Sequence, residues 1–447
     1  MIEEKLLAVC LSLMLLLQAW LIGLRSGSFA CPPAIFNFFL FLYSFFPLIA
    51  LPSVPVNPAA IVYFLLAGLS FSLTAIVVKP VPIQEVFSAR KVPTKFDTPL
   101  LVGFFWVFSA TTVASTLINW SIQGLTFEAI FFDLLNTTAS YLDSKYGGRL
   151  VSNPFATVAI VLVYPMVALG GLIFGARIGR KGRLPIFIAS FFPALMFIVV
   201  EGNKGTLPGV IVIFLGSILS VRLINGQPVV LHLKQFRALM LYGVLLAPII
   251  LVAFLARGLS GIDDLELIFS LIRNMFSSYF FGHLYAFSDW LTFYTGGASH
   301  LSYSSTPALG GFYTLMPIYE IFARGPEIPA GIYSEYFSYE AGAISFETNI
   351  FTMFRGLILD FGLFGGLIVL GVFGLIATAA FWRLLSAARS PVAVAIFIHA
   401  AWFSYASFGV SLFTWDSSFL SLALLSGLLS LNAALYPIDV AQSDAVE

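Results

Sequence analysis

The chain has 447 residues, of which 59% are hydrophobic and only 10% are charged, and its formal net charge is zero. Soluble domains carry roughly 25% charged residues, so a water-facing surface cannot be built from this composition and lipid must cover most of the protein. The neutral balance offers no basic region for nucleic acid. Cys10 and Cys31 lie in or beside the first two apolar runs, and they indicate neither a disulfide nor a metal site.

Eleven continuous apolar runs are each close to the roughly 20 residues that a helix needs to cross a bilayer. They predict an all-α, polytopic transmembrane helical bundle of about 11 helices, because membrane-barrel strands would alternate in short segments instead. The first run lacks a small-residue cleavage site and is expected to remain as a helix. The predicted spans are about 6–24, 34–52, 58–78, 99–118, 155–175, 185–201, 206–222, 238–256, 361–382, 391–411 and 417–436.

The loops between the spans carry unequal numbers of basic residues. One set of loops holds 14 of the 22 Lys and Arg residues and the opposite set holds 8, so the positive-inside rule assigns the first set to the cytoplasm. The N-terminus and residues 257–360 then lie outside. We therefore predict an N-terminal transmembrane region of about eight helices (1–256), a large loop on the outer side that handles the substrate (257–360), and about three C-terminal helices with a short cytoplasmic tail (361–447).

The segment 257–360 is long enough to be functional rather than a simple connection. Its first part has apolar residues near helical spacing, which predicts an amphipathic helix. Arg273, His283 and Asp289 argue against a crossing, so we expect this stretch to lie on the membrane surface or to re-enter between helices. A weaker pattern of the same kind, at Phe127, Ile130, Phe131 and Leu134, is interpreted as a packing element.

The sequence contains no recognisable metal or nucleotide motif. The four histidines are scattered, and there is no His-x-x-x-His, no Cys pair, no phosphate-binding Gly-rich loop and no GxSxG motif. We therefore expect no metal and no cofactor. Two glycine series predict close helix packing instead, namely Gly171, Gly175 and Gly179, and Gly362 with Gly366.

Cationic residues recur at the predicted outer membrane boundary. They are Lys204, Arg257, Arg273 and Arg355. For each cation alone, contact with lipid headgroups or pairing with an acid is as good an explanation as a functional role. Together they predict an anion-binding cavity, because the guanidinium of Arg can donate two hydrogen bonds to one phosphate. Asp360 begins an apolar run, and we predict that it pairs with Arg355 or caps the ninth helix.

The segment Glu347–Gly365 resembles the oligosaccharide repeat unit polymerases, the O-antigen and capsule polymerase group of bacterial inner membranes. In that family an Asn-x-x-Thr segment (here Asn349 to Thr352) and then an Asp-Phe-Gly-x-x-Gly segment (here Asp360 to Gly365) close a long periplasmic loop. The turn Gly202–Gly205 is similar to the family's short Ser-Arg-Gly turn, although Lys204 stands where the family has Arg. The many helices and the one large loop fit the family's plan.

The resemblance implies a metal-independent glycosyltransferase that moves a growing glycan from an undecaprenyl pyrophosphate carrier onto a new lipid-linked repeat. No nucleotide sugar or other cofactor is implied. The implied location is the bacterial inner membrane, as a multi-pass protein. The implied partners are undecaprenyl-pyrophosphate-linked oligosaccharides and membrane lipid, together with a chain-length regulator and a flippase, and no nucleic acid.

On this interpretation the cations stabilise the charge that grows on the departing pyrophosphate. Arg257, Arg273 and Arg355, with Lys204 assisting, are the predicted pyrophosphate ligands. The acceptor hydroxyl needs a base, and four candidates stay open: His283, His300, Glu340 and Glu347. Asn349 and Asp360 are assigned structural roles. Loop aromatics could stack on sugars, although membrane-interface anchoring explains each of them better; they include Tyr279, Tyr285, Trp290, Tyr303, Tyr313 and Tyr319.

Three alternatives remain at this stage. An O-antigen ligase would share the architecture and the donor but would transfer finished glycan to the lipid A core. A secondary transporter or glycan flippase is disfavoured by the absence of an evident internal repeat and by spans that carry almost no charge. A structural scaffold would explain neither the large loop nor its cations.

Overall fold

The computed structural model describes residues 2–78, 96–177, 182–203, 205–227, 229, 265–303, 310–322, 333, 335–341, 344–386 and 390–437. Lys204, Arg257 and the predicted span 238–256 lie outside the described residues. The helices are α1 (Ile2–Arg25), α2 (Pro32–Ala50), α3 (Ala59–Val77), α4 (Pro99–Ile122), α5 (Phe127–Phe132), α6 (Leu134–Tyr146), α7 (Pro154–Ala176), α8 (Arg183–Val199), α9 (Thr206–Ile224), α10 (Leu265–Phe276), α11 (Gly282–Tyr294), α12 (Met316–Phe322), α13 (Thr352–Leu385), α14 (Pro391–Ala406) and α15 (Asp416–Leu435). One hairpin of strands β1 (Phe337–Ala341) and β2 (Ile344–Thr348) is also present.

The predicted all-α, polytopic membrane fold is confirmed. Within the described ranges, eight helices are long and apolar enough to cross a membrane: α1, α2, α3, α4, α7, α9, α13 and α15. Two shorter apolar helices, α8 and α14, coincide with two more of the predicted spans. Continuous apolar runs therefore predicted the positions of the described spanning helices.

Helix α13 differs from its prediction, because it begins at Thr352 rather than near residue 361. The predicted start coincides with a break inside the helix at Gly362, where φ is 73° and ψ is 173°. A side chain is strongly disfavoured in this left-handed region, and glycine is not. The helical part before the break is buried, including Leu357, Ile358 and Leu359, so its apolar residues pack on protein and do not extend the lipid-facing run.

The chain divides into two compact units. The first consists of Met1–Val86, Ile272–Ala388 and His399–Phe419. In it α1, α2 and α3 pack together and α13 packs on α3 and α2. The approach of α13 to α3 is so close that a Cβ added at Gly374 would lie 1.9 Å from the carbonyl oxygen of Phe71. Small residues at such crossings are what allow membrane helices to pack by close backbone contact.

The predicted amphipathic stretch of the long loop is helical. Helix α10 continues through a short π-helical segment, Ser277–Phe281, into α11, and α11 packs against α2, α3 and α13. The strand pair lies on α11, where Gly282 faces the side chains of Thr348 and Phe346. Helix α11 and the strand pair are therefore packed on the first unit's own spanning helices.

Hydrogen bonds of the Lys5 side chain join three elements at one end of this unit. The Nζ of Lys5, in the first turns of α1, donates to the carbonyl oxygens of Leu51 (3.0 Å) and Val54 (2.8 Å) after α2. It also donates to the hydroxyl of Tyr285 on α11 at 2.8 Å. The N-terminal end of the chain and α11 therefore lie at the same end of the first unit.

The second unit consists of Phe87–Leu271, Arg389–Ile398 and Leu420–Glu447. In it α7 packs against α4, α8 and α9. The predicted close approach at Gly171 is confirmed, because a Cβ added there would lie 2.6 Å from the carbonyl oxygen of Phe214 on α9. At the start of α7, Asn153 caps the helix by accepting from the amides of Phe155 and Ala156, each at 3.1 Å.

The break in α13 gives a first prediction. Gly362→Ala should destabilise the protein by about 1–3 kcal/mol, the cost of holding an L-residue in a backbone region that is almost exclusive to glycine. Among the described residues, no atom outside the adjoining turns of the helix lies within 4 Å of the Cβ that the variant adds, so crowding by another packed element does not explain this loss. Thermal unfolding in nanodiscs measures the effect. Gly427→Ala, in α15, also adds its Cβ to open space but keeps an ordinary helical backbone, so equal unfolding temperatures for the two variants would contradict the argument.

Candidate functional site

The candidate site is centred on Arg355, in the first turn of α13. The helix begins with Thr352, which has a φ of 66° and is the one described non-glycine residue with a positive φ. A β-branched residue rarely adopts this conformation, and such strain persists only where the surroundings hold it. Here the next amide, that of Met353, donates to the carbonyl oxygen of Ser407 at 3.0 Å. Arg355 follows this strained start by three residues and is 1% exposed.

Aromatic rings surround the guanidinium of Arg355. Their centroids lie 3.9 Å (Tyr333), 4.2 Å (Phe351), 5.4 Å (Tyr303) and 5.6 Å (Trp290) from its Cζ atom. A cation within about 6 Å of such a face is attracted by the ring quadrupole, and more strongly when water is excluded. We call these four rings and Arg355 the arginine cage.

One carboxylate pairs with the cage. The Nη2 of Arg355 donates to the Oε2 of Glu335 at 3.1 Å, and the two side chains are 2% and 18% exposed respectively. The Nε and Nη1 atoms of Arg355 are buried and have no hydrogen-bond partner among the described residues. Buried donors of a charged group are normally satisfied, so the cage retains donor capacity for an anion.

A second carboxylate supports the cage from α11. Asp289 is 8% exposed and accepts from the hydroxyl of Tyr303 at 2.7 Å and from the backbone amide of His300 at 2.8 Å. Burial raises the pKa of Tyr303, and its own hydrogen bond to Asp289 and the negative charge of Asp289 raise it further, so the phenol stays protonated as a donor. Burial likewise raises the pKa of Tyr333. The neutral rings therefore leave Arg355 and Glu335 as the charged pair inside the cage.

Asp360 has a partner different from the one predicted. Its carboxylate accepts from the backbone amide of Tyr313, at 3.1 Å to Oδ1 and 3.0 Å to Oδ2, whereas Arg355 pairs with Glu335. The predicted Asp360–Arg355 pair is therefore wrong. The alternative prediction, that Asp360 caps the helix, is also wrong, because α13 begins at Thr352 with Phe351 at its N-cap. Asp360 does not pair with Arg355 because it follows Arg355 by more than one helical turn and faces the loop at Tyr313. That loop stacks Tyr313 on Tyr333, with ring centroids 5.2 Å apart, so Asp360 positions a ring of the cage indirectly.

The four predicted bases occupy different environments. His283 is 1% exposed, and its Nε2 lies 2.9 Å from the carbonyl oxygen of Tyr43, to which it donates. Burial lowers the pKa of His283 to about 4, so the ring is neutral and enclosed. His300 is exposed beside the cage, next to Asp289. Glu340 and Glu347 are exposed on the hairpin, on the face away from α11.

The predicted phosphate ligands are only partly described. Arg355 is buried in the cage and Arg273 is exposed on α10, while Lys204 and Arg257 lie outside the described residues. Asn349 lies half-buried between β2 and α13. The sequence marked Arg355 by its charge beside an apolar run, but it carried no signal for Glu335, Tyr333 or Phe351 as its neighbours.

Comparison with models of known protein families, with curated proteins and with solved structures finds no match for this chain.

The ion pair in the cage gives a second prediction. Glu335→Gln should lower the free energy of unfolding by about 3 kcal/mol, because it leaves a buried Arg355 without its carboxylate. Arg355→Met combined with Glu335→Gln should lose less than the sum of the two single variants. Thermal unfolding of all three in nanodiscs measures the coupling.

The matched control for this cycle is Glu347→Gln, which removes an exposed carboxylate on β2 and should change stability by no more than about 0.5 kcal/mol. Additive losses in the cycle would show that the Arg355–Glu335 contact has no energetic role.

Proposed function

We propose that this protein polymerises undecaprenyl-pyrophosphate-linked oligosaccharide repeat units into O-antigen, or into a capsular or exopolysaccharide, at the periplasmic face of the bacterial inner membrane. The proposal combines the resemblance of Glu347–Gly365 to the repeat unit polymerases with the multi-pass membrane fold. The observation that carries it is the buried Arg355 at the start of a spanning helix, whose Nε and Nη1 atoms have no hydrogen-bond partner among the described residues.

The resembling segment supports the proposal through its local geometry. Its Asn-x-x-Thr part ends in the strained Thr352, which precedes the buried Arg355 by three residues. Its Asp-Phe-Gly part contains Asp360, bonded to the loop at Tyr313, and the helix break at Gly362. Thr352, Asp360 and Gly362 of the motif thus each have a distinct structural feature close to Arg355 in the chain. Strain of this kind is concentrated at functional sites more often than in simple packing elements.

In the proposed reaction the bond between the sugar C1 and the pyrophosphate oxygen breaks, and a bond from C1 to the acceptor hydroxyl oxygen forms. The electron pair of the broken bond leaves with the lipid pyrophosphate, and the hydroxyl proton goes to a base. Negative charge therefore grows on the phosphate oxygens. A guanidinium fixed in a dry aromatic environment stabilises that charge without reorganising, and the Nε and Nη1 atoms of Arg355 are the donors that we assign to it.

His300 is the base candidate that the geometry favours. Its backbone is tied to Asp289, whose other oxygen holds Tyr303 in the cage, and its side chain is exposed. His283 is enclosed and already donates from Nε2, so a structural role in joining α11 to α2 suits it better. Glu340 and Glu347 share the exposed face of the hairpin and remain candidates.

Elongation of a purified lipid-linked repeat in nanodiscs tests the proposal. The wild-type protein should convert single repeats into a ladder of products. Arg355→Lys keeps the charge but loses the planar fork, and we expect the rate to fall by about 10²-fold, the usual effect of removing a transition-state donor. The control is Arg149→Ala, which removes an exposed arginine paired with Asp143 on α6.

Two outcomes would overturn the proposal. One is a wild-type protein that moves the repeat across the bilayer without elongating it, which is transport. The other is transfer of finished glycan to lipid A core with no ladder, which is ligation. An Arg355→Lys rate equal to that of Arg149→Ala would remove Arg355 from the mechanism.

The proposed periplasmic side gives a separate prediction. In a variant without Cys10 and Cys31, Ala298→Cys follows α11 at an exposed position and should react with a membrane-impermeant maleimide in intact cells. Asn225→Cys, exposed after α9, should react only after the membrane is opened, because that loop belongs to the basic set. The reverse pattern would place the long loop in the cytosol and exclude periplasmic polymerisation.

A further inference from the structure

Helix α5 exposes three phenylalanines, and two of them, Phe127 and Phe131, belong to the pattern interpreted from the sequence as a packing element. Phe127, Phe131 and Phe132 are 62%, 78% and 88% exposed, and no residue of α5 is buried. We call these three residues the phenylalanine patch. Single exposed apolar residues are ordinary, but adjacent large ones at this exposure mark a surface that contacts something apolar.

The backbone before α5 keeps the phenylalanine patch close to the end of α4. After α4 the chain turns back, and the amide of Leu125 donates to the carbonyl oxygen of Trp120 at 2.9 Å. Thr126 then caps α5 by accepting from the amide of Ala129 at 3.2 Å. Helix α5 therefore begins beside the last turn of the spanning helix α4, without an extended linker that would carry it away from the membrane.

Exposed apolar residues continue to the end of α4. Ile118 and Ile122, in its last two turns, are each 41% exposed, as lipid-facing residues of a spanning helix are. The phenylalanine patch follows them directly in the chain. Its acidic neighbours Glu128 and Asp133 are exposed, and α5 has no basic residue. Attraction to anionic headgroups thus cannot explain the patch, whereas insertion into hydrocarbon can.

The phenylalanine patch is held in place by α6. The hydroxyl of Thr137 donates to the carbonyl oxygen of Ala129 at 3.0 Å, which ties α6 back to α5. The hydroxyl of Thr138 donates to the carbonyl oxygen of Val199 at 2.8 Å, at the end of α8. Leu142 lies against Gly202 in the turn between α8 and α9. The position of α5 beside α4 is therefore fixed by contacts that do not involve the patch.

We propose that Phe127, Phe131 and Phe132 insert into the lipid leaflet next to the end of α4 and anchor α5 and α6 on the membrane. The occupant is lipid rather than another protein, because the patch begins five residues after the exposed Ile122 of the spanning helix α4 and the backbone is tied back to Trp120 in that helix's last turn. The anchor works in zwitterionic and anionic bilayers alike. Through Thr138 and Leu142 it also gives the turn between α8 and α9 a fixed attachment to the membrane surface. The proposal does not depend on the catalytic one.

Spin labelling tests the anchor. In a chain without Cys10 and Cys31, Phe131→Cys carries a nitroxide, and the purified protein is placed in phosphatidylcholine vesicles and in vesicles that also contain phosphatidylglycerol. We expect the nitroxide at residue 131 to be severalfold more accessible to oxygen than to a water-soluble nickel chelate, in both kinds of vesicle. The matched control is Ser140→Cys on α6, an exposed position that should show the opposite preference.

Three results would overturn the proposal. Nickel access at residue 131 equal to that at residue 140 would place the patch in water. Protection of residue 131 from both oxygen and nickel would show a protein contact, either with a second copy or with another chain. Oxygen preference that appears only with phosphatidylglycerol would show an electrostatic surface contact instead of hydrocarbon insertion. Circular dichroism of each labelled protein establishes that the helices are intact.

Discussion

The burial of one guanidinium governs how the first unit is built around the start of α13. A charge removed from water is costly unless a counter-ion and polarisable neighbours surround it. Arg355 obtains Glu335 and four aromatic faces. The rings are Trp290 on α11, Tyr303 after α11, Tyr333, and Phe351 just before α13. Satisfying one side chain therefore brings together parts of the chain that are far apart in sequence.

Two unusual backbone positions flank this cation. Thr352 precedes it with a φ of 66° and Gly362 follows it with a φ of 73°. Between them lies a buried helical segment whose ends are both determined by tertiary contacts, the amide of Met353 on Ser407 and the carboxylate of Asp360 on Tyr313. The two unusual backbone positions and the two tertiary contacts thus lie at the same two ends of the segment that carries Arg355 and Asp360.

The sequence predicted the spanning helices because apolar runs of bilayer length have few alternative structures. It predicted the wrong start for α13 because buried and lipid-facing apolar residues look alike in a sequence, and Leu357 is in fact buried. The importance of Arg355 was readable from its charge, but its pairing with Glu335 was not, since contacts across a folded loop leave no spacing pattern. The exposure of Phe131 was likewise hidden, because helical spacing alone does not tell packing on protein from packing on lipid.

The energetics of the cage bear on whether it is structural or functional. A buried ion pair is weak evidence for stability, because apolar residues of similar volume often serve as well or better. The unpaired Nε and Nη1 atoms within the described structure add a desolvation penalty that a purely structural arginine would avoid by finding acceptors. Cation–π contacts offset part of this cost, but an aromatic cluster without the charge would need no such compensation. A cation kept dry and incompletely bonded is better suited to receiving an anion than to filling space.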